Sequence, residues 1–341
     1  MRPKASSRCR HASSSDRTPV VVPCSTTGYL SPTVIPNKIH FVWSGKGFPF
    51  AFSLAVKSAV ARHPGWTVVL HVGEEPKGNP HWDAILPLVE VRRADPESVL
   101  LQVPVLGQKL VELHRAVPSS YPAGRSNLVR LAVLASEGGW YLDFDTLCAA
   151  RLDSVATQGA VIGEEWVWRY DQERVSKGIS IKMVPSVVAF AASWLGARSN
   201  LLRPDGMTES VLRRIWGRKE LNNAVIAAEP GHSWIVRLLE LACAQDPTVR
   251  FALGPALVNL GWTDSGNSRK PLRVPPEGFY QFPPSQTSRY FRSPRRDLPD
   301  GAVVLHWCSS NHRELVKRLD PAQVRTNADR GPWFRQAVEL T

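Results

Sequence analysis

Apolar residues along the chain fall into two alternating patterns. Short unbroken runs over 35–43, 66–72, 89–93 and 140–145 are bounded by Gly, Pro or Ser, which predicts buried strands. Between them, 50–62, 105–117 and 123–137 repeat at helical spacing, and Gly138-Gly139 makes a C-terminal stop for the last of these helices. Strand following helix in this order predicts an α/β fold with a mostly parallel sheet flanked by helices. Beyond Asp145 the pattern loosens. One or two short strands are expected over 160–168, and helices over 186–195, 209–216, 233–244, 311–319 and 333–340. A last apolar strand is expected over 302–307, and 271–299, rich in Pro and aromatics, reads as an irregular connection.

The first 33 residues carry Ser, Arg, Pro and Thr without apolar periodicity, so they read as a disordered basic tail. The rest, 34–341, has no linker-like break and no internal repeat, and reads as one domain with a C-terminal elaboration. Hydrophobic residues make up 43% and charged residues 21% of the 341, enough to build a large core.

The net charge is +12, which favours anionic partners such as phosphate-bearing small molecules, anionic membrane or nucleic acid. Much of the excess lies in the tail and around Arg289, Arg292, Arg295 and Arg296. No nucleic-acid module signature accompanies it, so nucleic acid is not the expected partner. Five cysteines at wide spacing form no CxxC pair and read as reduced thiols of a cytoplasmic protein. No run approaches the ~18 apolar residues of a membrane span. Peripheral membrane contact, or export without a cleavable signal, stays compatible with the sequence.

The candidate chemistry centres on Asp143-Phe144-Asp145. Side chains two apart on a strand share a side, and two carboxylates at a strand end can hold a hard divalent cation. Such a cation neutralises a leaving diphosphate, and phosphate esters sit where strands end in open α/β sheets. An Asp-x-Asp alone is a frequent accident. Here it terminates a buried strand, where unpartnered carboxylates would repel each other.

On the preceding helix, Asn127 and Arg130 stand at i and i+3 on one face. Arg130 could clamp a diphosphate in bidentate fashion, or form a structural ion pair with Glu137 or Asp143. Trp43 ends the first strand, where it could stack on a nucleotide base or fill the core.

Together these segments resemble the DxD-containing sugar transferases of glycosyltransferase family 32. The opening run Ile35-Pro36-Asn37-Lys38-Ile39-His40-Phe41-Val42-Trp43 is similar to their first strand. Ser126-Asn127-Leu128-Val129-Arg130, followed by Glu137-Gly138-Gly139-Trp140-Tyr141-Leu142-Asp143-Phe144-Asp145-Thr146, is similar to their central motif. That motif is shared by clostridial glucosylating toxins, fungal initiating mannosyltransferases and vertebrate α-1,4-glycosyltransferases. Leu221–His232, Gly254-Pro255-Ala256-Leu257 and His306-Trp307 with Ser309 and Ser310 resemble later family segments.

The resemblance implies a GT-A fold, retention of anomeric configuration, Mn²⁺ or Mg²⁺, and a nucleotide-sugar donor. A UDP-sugar is favoured, with GDP-mannose as the other donor class. The acceptor would be a hydroxyl of a glycan, lipid-linked sugar or protein. By position, Trp43, Asn127, Arg130, Tyr141, Asp143 and Asn223 would contact the donor. Asp145, Asp143 and His306 would hold the metal, and Asp143, Asp145 and Arg130 would carry catalysis. One departure stands out: the family usually has Asp where this chain has Asn127, whose amide keeps one acceptor but loses the charge.

Two competing readings follow. Asn127 suits an inactive nucleotide-sugar binder. Leu142-Asp143-Phe144-Asp145-Thr146 also superficially resembles the nucleophile strand of haloacid-dehalogenase phosphatases, with Leu147 where Thr or Val is usual.

Overall fold

The computed structural model describes residues 34–45, 47–93, 95–168, 217–264, 266, 268–292 and 298–341. The helices expected over 186–195 and 209–216 and the tail over 1–33 lie outside these residues. Thr33–Thr341 form one compact unit.

A parallel sheet opens the chain. β1 (Lys38–Trp43) leads through α1 (Phe50–Arg62) to β2 (Thr67–Val72). The short α2 (Pro80–Asp83) precedes β3 (Glu90–Arg93). Then come α3 (Pro96–Leu101), α4 (Gly107–Ala116) and α5 (Pro122–Glu137), which returns the chain to β4 (Gly139–Leu142). β5 (Thr146–Cys148), β6 (Ala160–Trp168) and β7 (Gly217–Ala228) follow, then α6 (Ser233–Ala242) and α7 (Pro255–Thr263). The remainder holds β8 (Leu272–Val274), α8 (Pro276–Phe279), α9 (Arg289–Arg292) and β9 (Val304–His306). It closes with α10 (Arg313–Arg318), α11 (Pro321–Thr326) and α12 (Pro332–Val338).

Seven strands form the main sheet in the order β3-β2-β1-β4-β7-β6-β8, and β5 pairs with β9 in a two-stranded ribbon. β7 alone runs against the other six, pairing antiparallel with both β4 and β6. The mostly parallel α/β sheet expected from the sequence is therefore present.

Strand alternation divides the core between two faces. On β4, Tyr141 joins a cluster with Leu128, Leu131, Trp234 and Leu238 under α5 and α6, while Trp140 and Leu142 join Val56, Ala59 and Phe279 on the opposite face. On β7, Ile226 and Ala228 face the first layer and Val225 and Ala227 the second. A third cluster joins Phe50 and Leu54 of α1 to Trp307, Phe291, Trp333 and Phe334, fastening the C-terminal helices to the ribbon.

Several elements differ from expectation. Strand β7 has no counterpart among the expected elements. Its first third, Gly217-Arg218-Lys219-Glu220, is polar, and this masks the apolar run that follows. The three-residue β5 is too short to show a period. The connection over 271–299 contains β8, α8 and α9. The reading of 140–145 as one strand is corrected below.

Candidate active and metal-binding site

Helix α5 begins with Pro122 at its first turn and buries Leu128, Leu131, Ala132 and Leu134. That face also buries Asn127 and Arg130, at 5% and 4% exposure. The helix stops at Gly138, with φ +65 and its N–H bonded to Leu134 O at 3.0 Å. Gly139 follows at φ +95. A Cβ on Gly138 would meet Ala228 O at 2.8 Å and Pro230 Cδ at 2.6 Å. Only glycine fits both the conformation and the space. This pair turns the chain from α5 directly into β4 and so sets the separation of Arg130 from Asp143.

Asp143-Phe144-Asp145 does not continue β4, which ends at Leu142. The Asp143 N–H still donates to Ala224 O at 2.9 Å, but the chain then turns. Both the N–H and the Oγ1 of Thr146 donate to Asp143 O, at 3.2 and 2.7 Å. The two carboxylates are therefore gathered by a turn between β4 and β5 rather than by the pleat of one strand. The turn is held from the far side by Trp307 N–H, which donates to Asp145 O at 3.1 Å.

Asp143 is fixed by its neighbours. Arg130 Nη2 and Tyr141 OH both donate to its Oδ1 at 2.7 Å, and the guanidinium lies 4.3 Å from the centre of the Tyr141 ring. Arg130 Nη1 donates to Asn223 O, and Asn223 Nδ2 to Asn127 Oδ1 at 3.0 Å. Of the two partners open for Arg130, the structure selects Asp143, while Glu137 pairs with Lys38 and Arg92. Gly254 closes on this cluster, and a Cβ there would meet Asn127 Nδ2 at 2.8 Å.

Asp145 faces a different set. Its Oδ1 lies 3.3 Å from His306 Nε2, and its Oδ2 accepts from Ser309 N–H at 2.8 Å. Burial pushes the Asp145 carboxyl up, but His306 and the Ser309 donors outweigh it and hold it down at about 2. Burial also raises Asp143, which stays above the usual carboxylate range with Asp145 adding to the shift, even though Arg130 opposes it. Burial would lower His306, yet Cys308 on one side and Asp145 on the other lift it well above its ordinary value.

Asp143, Asp145 and His306 bring one ligating atom each within 4.8 Å of one another. Two carboxylates and an imidazole suit a divalent cation. Adjacent ligands of a six-coordinate ion at ~2.1 Å lie about 3.0 Å apart, close to the Asp145–His306 spacing. The residues present therefore fit the expected cation.

Trp43 ends β1 half-buried, edge-on to Phe48, Phe52 and Phe144. With Val42, His71, His114, Arg125 and Ser126 it lines a cavity of about 260 Å³ at the C-terminal ends of β1 and β2. Its indole Nε1 is buried without a hydrogen-bond partner. Ser309 belongs to the C-terminal segment that resembles the family's, but its role as an amide donor is one no side-chain pattern could reveal; His71 and His114 on the cavity wall have no place in the sequence reading.

Residues 49–162 match the family model described as the glycosyltransferase sugar-binding region containing a DXD motif. No protein of curated function matches the sequence. Among solved structures, the chain is similar to the PaToxG glycosyltransferase at 15% identity, covering 91% of this chain and 88% of that one with a TM-score of 0.43. It is similar to the UDP-bound glycosyltransferase domain of the YGT toxin at 11% identity, covering 72% and 80% with a TM-score of 0.39. It is also similar to the galactosyltransferase LgtC in complex with donor and acceptor sugar analogues, at 14% identity, covering 85% and 99% with a TM-score of 0.39. The family match is to a sugar-binding region, and it takes in the Asp143-Phe144-Asp145 motif on which the phosphatase reading rests. Among the described residues, no helix is long and apolar enough to cross a membrane.

Proposed function

We propose that the protein is a glycosyltransferase of GT-A type with a DXD sugar-binding region, retaining and dependent on a divalent metal. It moves a sugar from a nucleotide-sugar donor, a UDP-sugar before GDP-mannose, to a hydroxyl acceptor. The observation that carries this reading is the convergence of Asp143, Asp145 and His306 within 4.8 Å beside Arg130.

Asp145 and His306, with the Asp143 oxygen not taken by Arg130 and Tyr141, would hold the cation. When bound, Mn²⁺ or Mg²⁺ supplies charge neutralisation for the leaving nucleoside diphosphate. The imidazole favours a transition ion, and so Mn²⁺ over Mg²⁺. Arg130 keeps Asp143 ionised and oriented, and adds positive charge behind the diphosphate. The Asn127 and Asn223 amides face the sugar hydroxyls. Trp43 and the cavity beside it take the base, where stacking contributes ~1–3 kcal/mol. The acceptor hydroxyl attacks from the face the diphosphate leaves, and its proton passes to the departing phosphate oxygen.

The test is a panel of nucleotide sugars with Mn²⁺, scored for released UDP or GDP. One donor should be hydrolysed, and Asp145→Ala should lower that rate by about 10²–10³-fold, the range seen when a key electrostatic group is removed. An Asp145→Ala variant as fast as the parent removes the central claim. Asn127 supports a second reading, a binder without turnover. Saturable binding of a UDP-sugar with no nucleotide release from any donor would establish it.

A further inference from the structure

The His306 imidazole has two occupied sides. Its Nε2 points at Asp145 Oδ1, 3.3 Å away. Its Nδ1 lies 3.7 Å from Cys308 Sγ. Glu165, from β6, completes a second group: a carboxylate oxygen, a ring nitrogen and a thiol sulfur lie within 4.8 Å of one another. Glu165 is 4% exposed and its Oε2 accepts from Asn222 Nδ2 at 2.6 Å. The imidazole thus stands as a wall between an oxygen-rich set and a sulfur-bearing one.

The two sets have different chemistry. Two carboxylates and one nitrogen suit a hard or borderline ion, whereas thiolate, imidazole and carboxylate together are a zinc donor set. Tetrahedral zinc, with bonds of ~2.3 Å to sulfur and ~2.0 Å to nitrogen, holds those two atoms about 3.6 Å apart. The observed 3.7 Å needs almost no movement. Cys308 also sits at φ +50, one of three described non-glycine residues with positive φ. That conformation is disfavoured for a residue with a Cβ.

We propose that Glu165, His306 and Cys308 form a site for a thiophilic divalent cation, Zn²⁺ foremost, that competes with the Asp143–Asp145 cation for His306. A neutral imidazole offers one lone pair. Bound through Nδ1, His306 carries its proton on Nε2 and donates it to Asp145, the carboxylate–histidine–zinc arrangement. Bound through Nε2, it carries the proton on Nδ1, facing Cys308. The tautomer that serves one ion is closed to the other. Zinc binding releases the Cys308 thiol proton to solvent, and a water completes the fourth position.

The experiment uses the full chain and Co²⁺ as a spectroscopic stand-in for Zn²⁺. Titration should produce a near-ultraviolet thiolate-to-cobalt charge-transfer band saturating at one equivalent and removed by Zn²⁺. Cys308→Ser and Cys308→Gly should lose the band, the glycine variant being the one that suits the positive φ and so guards against a folding defect. Glu165→Gln should weaken Co²⁺ binding at least tenfold. In Mn²⁺-dependent turnover, Zn²⁺ should inhibit in competition with Mn²⁺, and Cys308→Ser should need at least tenfold more Zn²⁺. A band that survives in both Cys308 variants, or the absence of a band from the parent, overturns the proposal. So does Zn²⁺ inhibition that Cys308→Ser leaves unchanged. The inference extends the proposed transferase reading, but the cobalt spectrum needs no nucleotide sugar, so the two fail separately.

Discussion

At Asp143 one carboxylate oxygen accepts from both Arg130 and Tyr141, while Arg130 itself is almost wholly enclosed. Its Nε has no partner, so this guanidinium is oriented by what its two Nη groups reach. Removing one member of such a pair strands the other's charge. Arg130→Met should destabilise the fold by roughly 2–4 kcal/mol, below the top of the range for buried pairs because Asp143 keeps 27% exposure. Adding Asp143→Asn to Arg130→Met should recover part of that loss, with both variants read by urea unfolding. The aspartates, Arg130 and Trp43 were legible as residues because carboxylates and aromatics stand out in an apolar segment. His306 emerged only through resemblance to a family. Ser309 came with the same segment, though its amide role left no side-chain signal, and Cys308, set by a turn with no spacing rule, left none.

At the scale of elements, the stop between α5 and β4 is the most constrained joint. Gly138→Ala combines a positive φ with contacts under 3 Å to Pro230 and to the Ala228 carbonyl. Together these should cost about 2–4 kcal/mol, seen as a lower urea midpoint with an unchanged slope. Donor hydrolysis should fall as well, because the same joint spaces Arg130 from Asp143. The glycine stop and the parallel strands β1 to β4 could be read from the chain, since buried parallel strands are continuous apolar runs. The reversed β7 could not, because its first third is polar. The Asp143–Asp145 segment misled for a different reason. Alternation places residues two apart on one side of a strand, but the same pairing arises when a tight turn follows the strand, and the sequence does not distinguish the two.

For the whole molecule, a pair of buried imidazoles ties stability to pH. His40 Nε2 meets Gly138 O at 3.0 Å and its Nδ1 meets His71 Nε2 at 3.1 Å. Burial, reinforced in His40 by its neighbour, lowers His40 to about 3 and His71 to about 4. Both therefore stay neutral in the fold at pH values where the unfolded chain, titrating near ~6.5, takes up protons. The stabilisation is complete above that value and is lost as pH falls towards 4. Each imidazole contributes up to about 1.4 kcal/mol per pH unit within that window. Unfolding free energies at pH 7 and pH 5 should show the drop, and His71→Gln should flatten it.

The contacts that complete the cation site reach far along the chain. The Ser309–Asp145 bond spans 164 positions and the Asn223–Asn127 bond spans 96. Such long closures form late, after local helices and the first parallel strands have paid for their own order. Synthesis proceeds from the N-terminus, so a growing chain displays Asp143 and Asp145 well before His306 leaves the ribosome. Until β9 docks on β5, the two carboxylates lack both the imidazole and the amide that hold Asp145 in place. On the proposed reading, sugar transfer waits for β9 to dock on β5, and a chain cut short before His306 lacks the activity whatever the state of its first strands.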